Sequence, residues 1–149
     1  MTSRHGLEIR AATSSDVLGL ASLLAEAGYV VDARDLAERI SAVRQTGSTA
    51  LVAVRWGPPS GVVELHWYLT LEDARATAQI TTLLVAAEER RLGIGRLLVK
   101  AAAQAARRAG CGSLEVMAAR DATSLQGFCR ATGFVEHGPQ FVRSLRKQG

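Results

Sequence analysis

Apolar residues recur along this chain with two periods, and each switch of period or break marks an element. Leu7 to Arg10 alternates apolar and polar positions as a short strand does, and Thr13-Ser14-Ser15-Asp16 offers helix N-caps and an early acid. Val17, Leu20, Leu23 and Leu24 fall at helical spacing and predict a helix to about Ala27, stopped by Gly28. A second helix is predicted over Asp32 to Arg44. Its stripe is Leu36, Ile40 and Val43, with Arg34, Glu38 and Arg39 decorating the rest and Gly47 ending the segment. The period then shortens: Ala50 to Arg55 and Val62 to Leu69 predict two strands around the turn cluster Gly57-Pro58-Pro59-Ser60-Gly61. After a polar connection, Ala78 to Val85 has the length and composition of a buried central strand. Ile94 to Ala109 is the clearest helix, with Ile94, Leu97, Leu98, Ala101 and Ala105 on one face and Gly110 as its stop. Ser113 to Ala118 predicts a strand, Asp121 to Ala131 a short helix broken by Gly133-Phe134, and Phe141 to Leu145 a closing strand. The order β-α-α-β-β-β-α-β-α-β is a mixed α/β layout without repeats or low-complexity segments, in one domain over 1–149.

Between the central strand and the longest helix stands Arg90-Arg91-Leu92-Gly93-Ile94-Gly95. Glycines at a strand-to-helix junction let the backbone turn with its N–H groups outward, and the helix adds the positive end of its dipole. That combination suits a diphosphate. The dinucleotide fingerprint does not fit, because its third glycine would fall at Leu98. The phosphate loop of NTPases does not fit either, because no Gly-Lys pair followed by Ser or Thr occurs. A bare tight turn would account for the glycines but not for Arg90 and Arg91 before them and Arg96 after.

In this context Arg90, Gly93 and Gly95 match, position by position, the acetyl-CoA signature of the GNAT superfamily of N-acetyltransferases: Arg or Gln, two residues, Gly, one residue, then Gly or Ala. The chain resembles that superfamily over nearly its full length. The specific motifs lie in Ile80 to Ala109 and Ser113 to Phe134, and the ends match by pattern alone. The resemblance implies a central mixed, mostly antiparallel sheet with helices on both faces. It implies acetyl-CoA as donor, its pyrophosphate on the loop Arg91 to Arg96, Ile94 included. It also implies a bulged, splayed central strand whose end, at Leu83, Leu84 and Val85, binds the pantetheine arm as an added strand would. A backbone N–H there would face the thioester carbonyl.

The catalytic positions depart from the family pattern. Phe128-Cys129-Arg130-Ala131-Thr132-Gly133-Phe134 aligns with a segment in which many members carry a Tyr that protonates the leaving thiolate, and Cys129 holds that position. A thiol with an ordinary pKa near ~8.5 is matched to that task; a small buried hydrophobe, with solvent as the donor, is the other reading. The family's frequent Asn or Arg falls on Ala122, and its frequent Glu on Gln79, which takes no proton at neutral pH and can only orient water or the amine. Glu64, His66 and Tyr68 share one face of the preceding strand. His66 has the intrinsic pKa of a base acting through water, with Glu64 near enough to influence it; a half-exposed polar strand edge is the alternative. The resemblance places Tyr29, ahead of the second helix, in the acceptor pocket, although a packing aromatic would look the same.

The pattern, including Gln140-Phe141-Val142-Arg143, is loosely similar to the small single-domain branch related to aminoalkylphosphonate acetyltransferases. The expected activity is direct acetyl transfer to a primary amine, with a small molecule favoured over a protein N-terminus or lysine. The loss of the Tyr, the Glu and the Asn/Arg at their usual places keeps open a silent acyl-CoA-binding sensor.

Composition adds boundaries. The 48% hydrophobic and 21% charged residues exclude a disordered or fibrous chain. The net charge of +4 is spread along the chain and forms no nucleic-acid-binding arm. No run reaches the roughly 20 apolar residues that span a bilayer, and Met1 to Arg10 lacks the core of a signal peptide, so a cytoplasmic protein without a membrane partner is expected. Cys111 and Cys129 have no metal-ligand spacing, so no metal is expected. A homodimer is expected from the habits of the superfamily.

Overall fold

The computed structural model describes residues 6–90, 92–117 and 123–146. Its elements are β1 (Glu8–Ala11), α1 (Val17–Glu26), α2 (Ala33–Gln45), β2 (Thr49–Val54), β3 (Gly61–Tyr68), β4 (Thr77–Val85), α3 (Ile94–Arg108), β5 (Ser113–Val116) and α4 (Thr123–Ala131). One five-stranded sheet runs in the order β1-β2-β3-β4-β5. The first four strands pair antiparallel, β1 and β2 joined through α1 and α2 and the later pairs by shorter loops, and β5 returns parallel to β4 after the crossover through α3.

Strict alternation sends neighbouring residues to opposite faces. Ala53, Val63 and Leu65 face α3, which lays Ile94, Leu98, Ala102 and Ala106 on them. Val52 and Val62 face α1 and α2, which supply Val17, Leu20, Leu23, Leu36 and Ile40. The expected helices on both faces of a mixed sheet are therefore present. α3 packs closely on Gly61, where a Cβ would lie 2.9 Å from Leu98 Cδ1 and 3.0 Å from the Leu84 carbonyl oxygen.

One residue interrupts the alternation. Glu64 pairs with Thr82 and Leu65 with Ile80, so Thr81 is an extra residue in β4, a β-bulge. Its effect is a change of parity. Ala78 and Ile80 before the bulge, and Leu83 and Val85 after it, all belong to the α3-side core, while Leu84 packs on the α1/α2 side.

At the N-terminal end, Arg10 of β1 donates two hydrogen bonds to Asp16, at 2.8 and 2.9 Å, and the Thr13 backbone N–H donates a third at 2.8 Å. Asp16 is buried, and its pKa lies below the ordinary carboxylate value, chiefly through the bonds from Arg10.

The strand expected over Phe141 to Leu145 is not formed. Residues 134–145 have no regular structure, and Phe141, Val142 and Leu145 are exposed. Alternation supplies the pattern of a strand, but only a paired edge satisfies its backbone, and this segment joins no ladder.

Candidate active site

β5 pairs with β4 only from Thr77 to Ile80. From the bulge onward, β4 keeps β3 on one side and has no strand on the other among the described residues, so the backbone of Leu83, Leu84 and Val85 presents a free edge there. That edge leads through a short 3-10 turn, Ala87–Glu89, to the N-terminus of α3. Gly93 is the N-cap, with φ 79° and ψ 13°. This left-handed conformation is costly for any residue with a Cβ, and nothing lies within 4 Å of where that Cβ would be. The first-turn N–H groups of an α-helix have no partner within the helix, and here they follow an open glycine. No side chain caps them.

Around this turn Arg90 and Arg96 are exposed, while Ile94 is buried, so its side chain serves the core and only its backbone is available. Arg91 lies outside the described residues, as does Ala122. Gly95 has a second reason to be glycine: a Cβ would stand 3.3 Å from the Phe128 ring of α4. Free edge, open left-handed glycine, helix N-terminus and flanking arginines fit an extended ligand arm that ends in a diphosphate.

Beside the free edge, a cavity of about 590 Å³ lies between the sheet and the α1–α2 layer. Tyr29, Glu64, Thr81, Thr82, Leu83 and Leu84 line it together with Leu20, Leu24, Leu36 and Ile40. Sequence reasoning thus brought Tyr29, Glu64, Leu83 and Leu84 to one place. His66, Tyr68, Gln79 and Cys129 are not among the residues lining the cavity.

His66 stands behind Glu64. Its Nε2 is 3.4 Å from Glu64 Oε1 and its Nδ1 is 2.7 Å from Ser48 Oγ. The ring thus bridges the Ser48 hydroxyl and the Glu64 carboxylate, one nitrogen to each. The bulge residue Thr81 donates its hydroxyl to the same Glu64 oxygen at 2.9 Å. Gln79 is paired in register with His66 and with Glu115. Tyr68 donates to Glu115 at 2.5 Å, a bond that raises the phenol pKa and ties it to β5. Cys129 is buried, and burial raises its thiol pKa against the smaller opposing effect of Arg130. At neutral pH it carries its proton.

Three contributors escaped the sequence. Ser48 and Thr81 have no motif, since the first is a lone residue before β2 and the second matters only because β4 bulges there. Arg39 lines the cavity although helical spacing set it among the outer residues of α2.

The sequence model of the acetyltransferase (GNAT) family matches residues 18–134, a span that includes the free edge, the glycine turn and the cavity walls. The chain belongs to the GNAT acetyltransferase family. Among curated proteins no relative matches the sequence. Solved GNAT folds superpose along nearly the whole chain. A protein from Agrobacterium tumefaciens assigned as an acetyltransferase is 26% identical, with a TM-score of 0.83 over 92% of this chain and 99% of its own. An aminoglycoside N-acetyltransferase in complex with CoA shares 16% identity, with a TM-score of 0.81 over 94% of this chain and 95% of its own. An aminoglycoside acetyltransferase from an uncultured soil metagenomic sample, in complex with sisomicin, shares 20%, with a TM-score of 0.79 over 95% and 97%. At the last two identities the likeness is one of GNAT fold.

Proposed function

We propose that this GNAT protein is an acetyl-CoA-dependent N-acetyltransferase that passes the acetyl group directly to a primary amine of a small molecule. The observation that carries the reading is the continuity of the free β4 edge with the left-handed Gly93 at the start of α3. In this reading the backbone of Leu83, Leu84 and Val85 holds the pantetheine arm. The N–H groups from Gly93 to Arg96 hold the pyrophosphate, with Arg90, Arg91 and Arg96 supplying positive charge. Bound acetyl-CoA supplies an activated thioester.

The chain's own residues do the rest. Glu64 faces the cavity and takes the amine proton, with His66 and Thr81 holding its carboxylate, and the proton then leaves to solvent through the open cavity. The protonated thiol of Cys129 is the proposed donor to the departing thiolate. Tyr29 lines the acceptor side, and Gln79 and Tyr68 order the sheet beside it. Similarity to folds solved as aminoglycoside acetyltransferases favours a small acceptor. No described helix is long and apolar enough to cross a membrane, and a cytoplasmic location belongs to the same reading. A homodimer that covers the exposed Phe141, Val142 and Leu145 is part of it, and light scattering on the intact chain tests that element.

Calorimetry with acetyl-CoA, followed in the same preparation by thiol release against amines and peptides, tests the proposal. Binding with release on a small amine supports it, release on peptides alone shifts the acceptor class, and binding without release on any amine supports a silent sensor. Absence of binding overturns the site.

A further inference from the structure

We infer that the acceptor is an apolar monoamine, with one ammonium group for Glu64 and a hydrocarbon body that fills the space between the sheet and the α1–α2 layer. This names the substrate class of the site proposed above and rests on the acetyl-transfer reading. Glu64 has room for one ammonium group. Its Oε1 already accepts from Thr81 at 2.9 Å and lies 3.4 Å from His66 Nε2, which leaves Oε2 without a partner among the described residues. Across the sheet Glu64 sits between Ala50 of β2 and Thr82 of β4, and both of these neighbours also line the cavity.

Away from that carboxylate the wall is aliphatic. Leu20, Leu36, Ile40 and Val62 are core residues that also line the cavity, and Leu24 and Val31 extend the same surface. The charged side chains among the described lining residues are Glu64 and the exposed Arg39, one of each sign, so the cavity has no excess of negative charge. A polyamine or an aminoglycoside would bring its further ammonium groups against hydrocarbon, where an unpaired charge is costly. A short amine would reach Glu64 but leave the aliphatic wall in contact with water. An amine with an apolar body meets both demands at once. Leu83 of the free edge lines the same cavity, so a longer acyl chain on the donor is the competing occupant.

The test uses the intact protein with saturating acetyl-CoA and a series that shares one headgroup, propylamine, butylamine and hexylamine, with 1,6-diaminohexane and sisomicin as polycations. Thiol release should give a kcat/KM that rises about 4-fold for each added methylene, the equivalent of about 0.8 kcal/mol. 1,6-Diaminohexane should fall at least ~10-fold below hexylamine, because its second ammonium group replaces a methyl group at the aliphatic wall. Val31→Trp, in the connection between α1 and α2, narrows the cavity and should reduce the ratio of hexylamine to propylamine at least ~5-fold. Calorimetry with acetyl-CoA checks that this variant is folded, and the series on the unaltered protein stands without it. NMR-detected binding of the same amines to the CoA-loaded protein reads the selectivity without turnover. A flat chain-length series in both readouts, or a polycation equalling hexylamine in both, overturns the proposal, and thiol release in that case leaves the transfer reading standing. Faster release from hexanoyl-CoA than from acetyl-CoA, with propylamine as acceptor, also overturns it, since the donor's chain then fills the cavity. Binding that strengthens with chain length, without thiol release from any amine, overturns the transfer reading and leaves the selectivity standing.

Discussion

Glu64 Oε1 and His66 Nε2 are 3.4 Å apart, two residues distant on one face of β3, and only the carboxylate reaches the cavity. The geometry gives the pair an order, Glu64 in front at the cavity and His66 behind it with its far nitrogen on Ser48, and in the proposed reaction Glu64 is the proton acceptor. Glu64→Gln should then lower kcat by about 100-fold or more with acetyl-CoA affinity retained. His66→Ala should lower kcat by a smaller factor, since it removes a group that holds the carboxylate and leaves the carboxylate itself. If His66→Ala costs the larger share of kcat and Glu64→Gln the smaller, His66 is the base.

The position of Cys129 yields a separate expectation. A proton donor must be protonated, and burial raises this thiol above its ordinary value, so its contribution persists at neutral pH and is lost only as pH rises through the raised pKa. Cys129→Ala should lower kcat by ~100-fold with acetyl-CoA affinity retained, and should alter the basic limb. A near-normal rate would make the residue part of the core, consistent with its absence from the cavity wall.

Asp16 should make stability depend on pH at the acidic end. Its folded pKa is depressed below the unfolded one, so the folded state binds its proton less readily. The stabilisation is complete above the unfolded carboxylate value, about 4, and is lost as pH falls through the folded value. Asp16→Asn should destabilise the protein by about 2 kcal/mol at pH 7, since charge-assisted bonds from Arg10 and the Thr13 N–H are weakened. Denaturant melts of both proteins from pH 7 to pH 3 should converge at the acidic end. Parallel curves would mean that Asp16 carries no linked proton.

How much of this was legible beforehand follows from where the information lies. The helices and β1 to β5 announce themselves because each buries a periodic face, and the α3 turn because Gly93 and Gly95 with their arginines form a spaced motif. The bulge at Thr81 is invisible in sequence: β4 looks like an unbroken apolar strand, and the extra residue exists only relative to β3. Arg39 was hidden because a helical period separates buried from outer positions but says nothing of what a long side chain at the boundary overlooks. The unformed strand at Phe141 to Leu145 shows the converse, a pattern present without an edge to pair with.

Gly95 carries two constraints that a double mutant separates. In the proposed cofactor site it lets the backbone of the helix N-terminus approach a diphosphate, and as a neighbour of Phe128 it leaves room for an aromatic ring 3.3 Å from where a Cβ would stand. Gly95→Leu forces that ring to move and should cost about 2 kcal/mol by overpacking, in addition to weakening acetyl-CoA binding. Adding Phe128→Ala removes the ring and should restore part of the lost stability, an interaction energy of ~1 kcal/mol between contacting sites. If acetyl-CoA affinity returns with stability, the α3–α4 contact was the constraint. If stability returns and affinity does not, the backbone of the turn is what the ligand needs, and the glycine is retained for close approach.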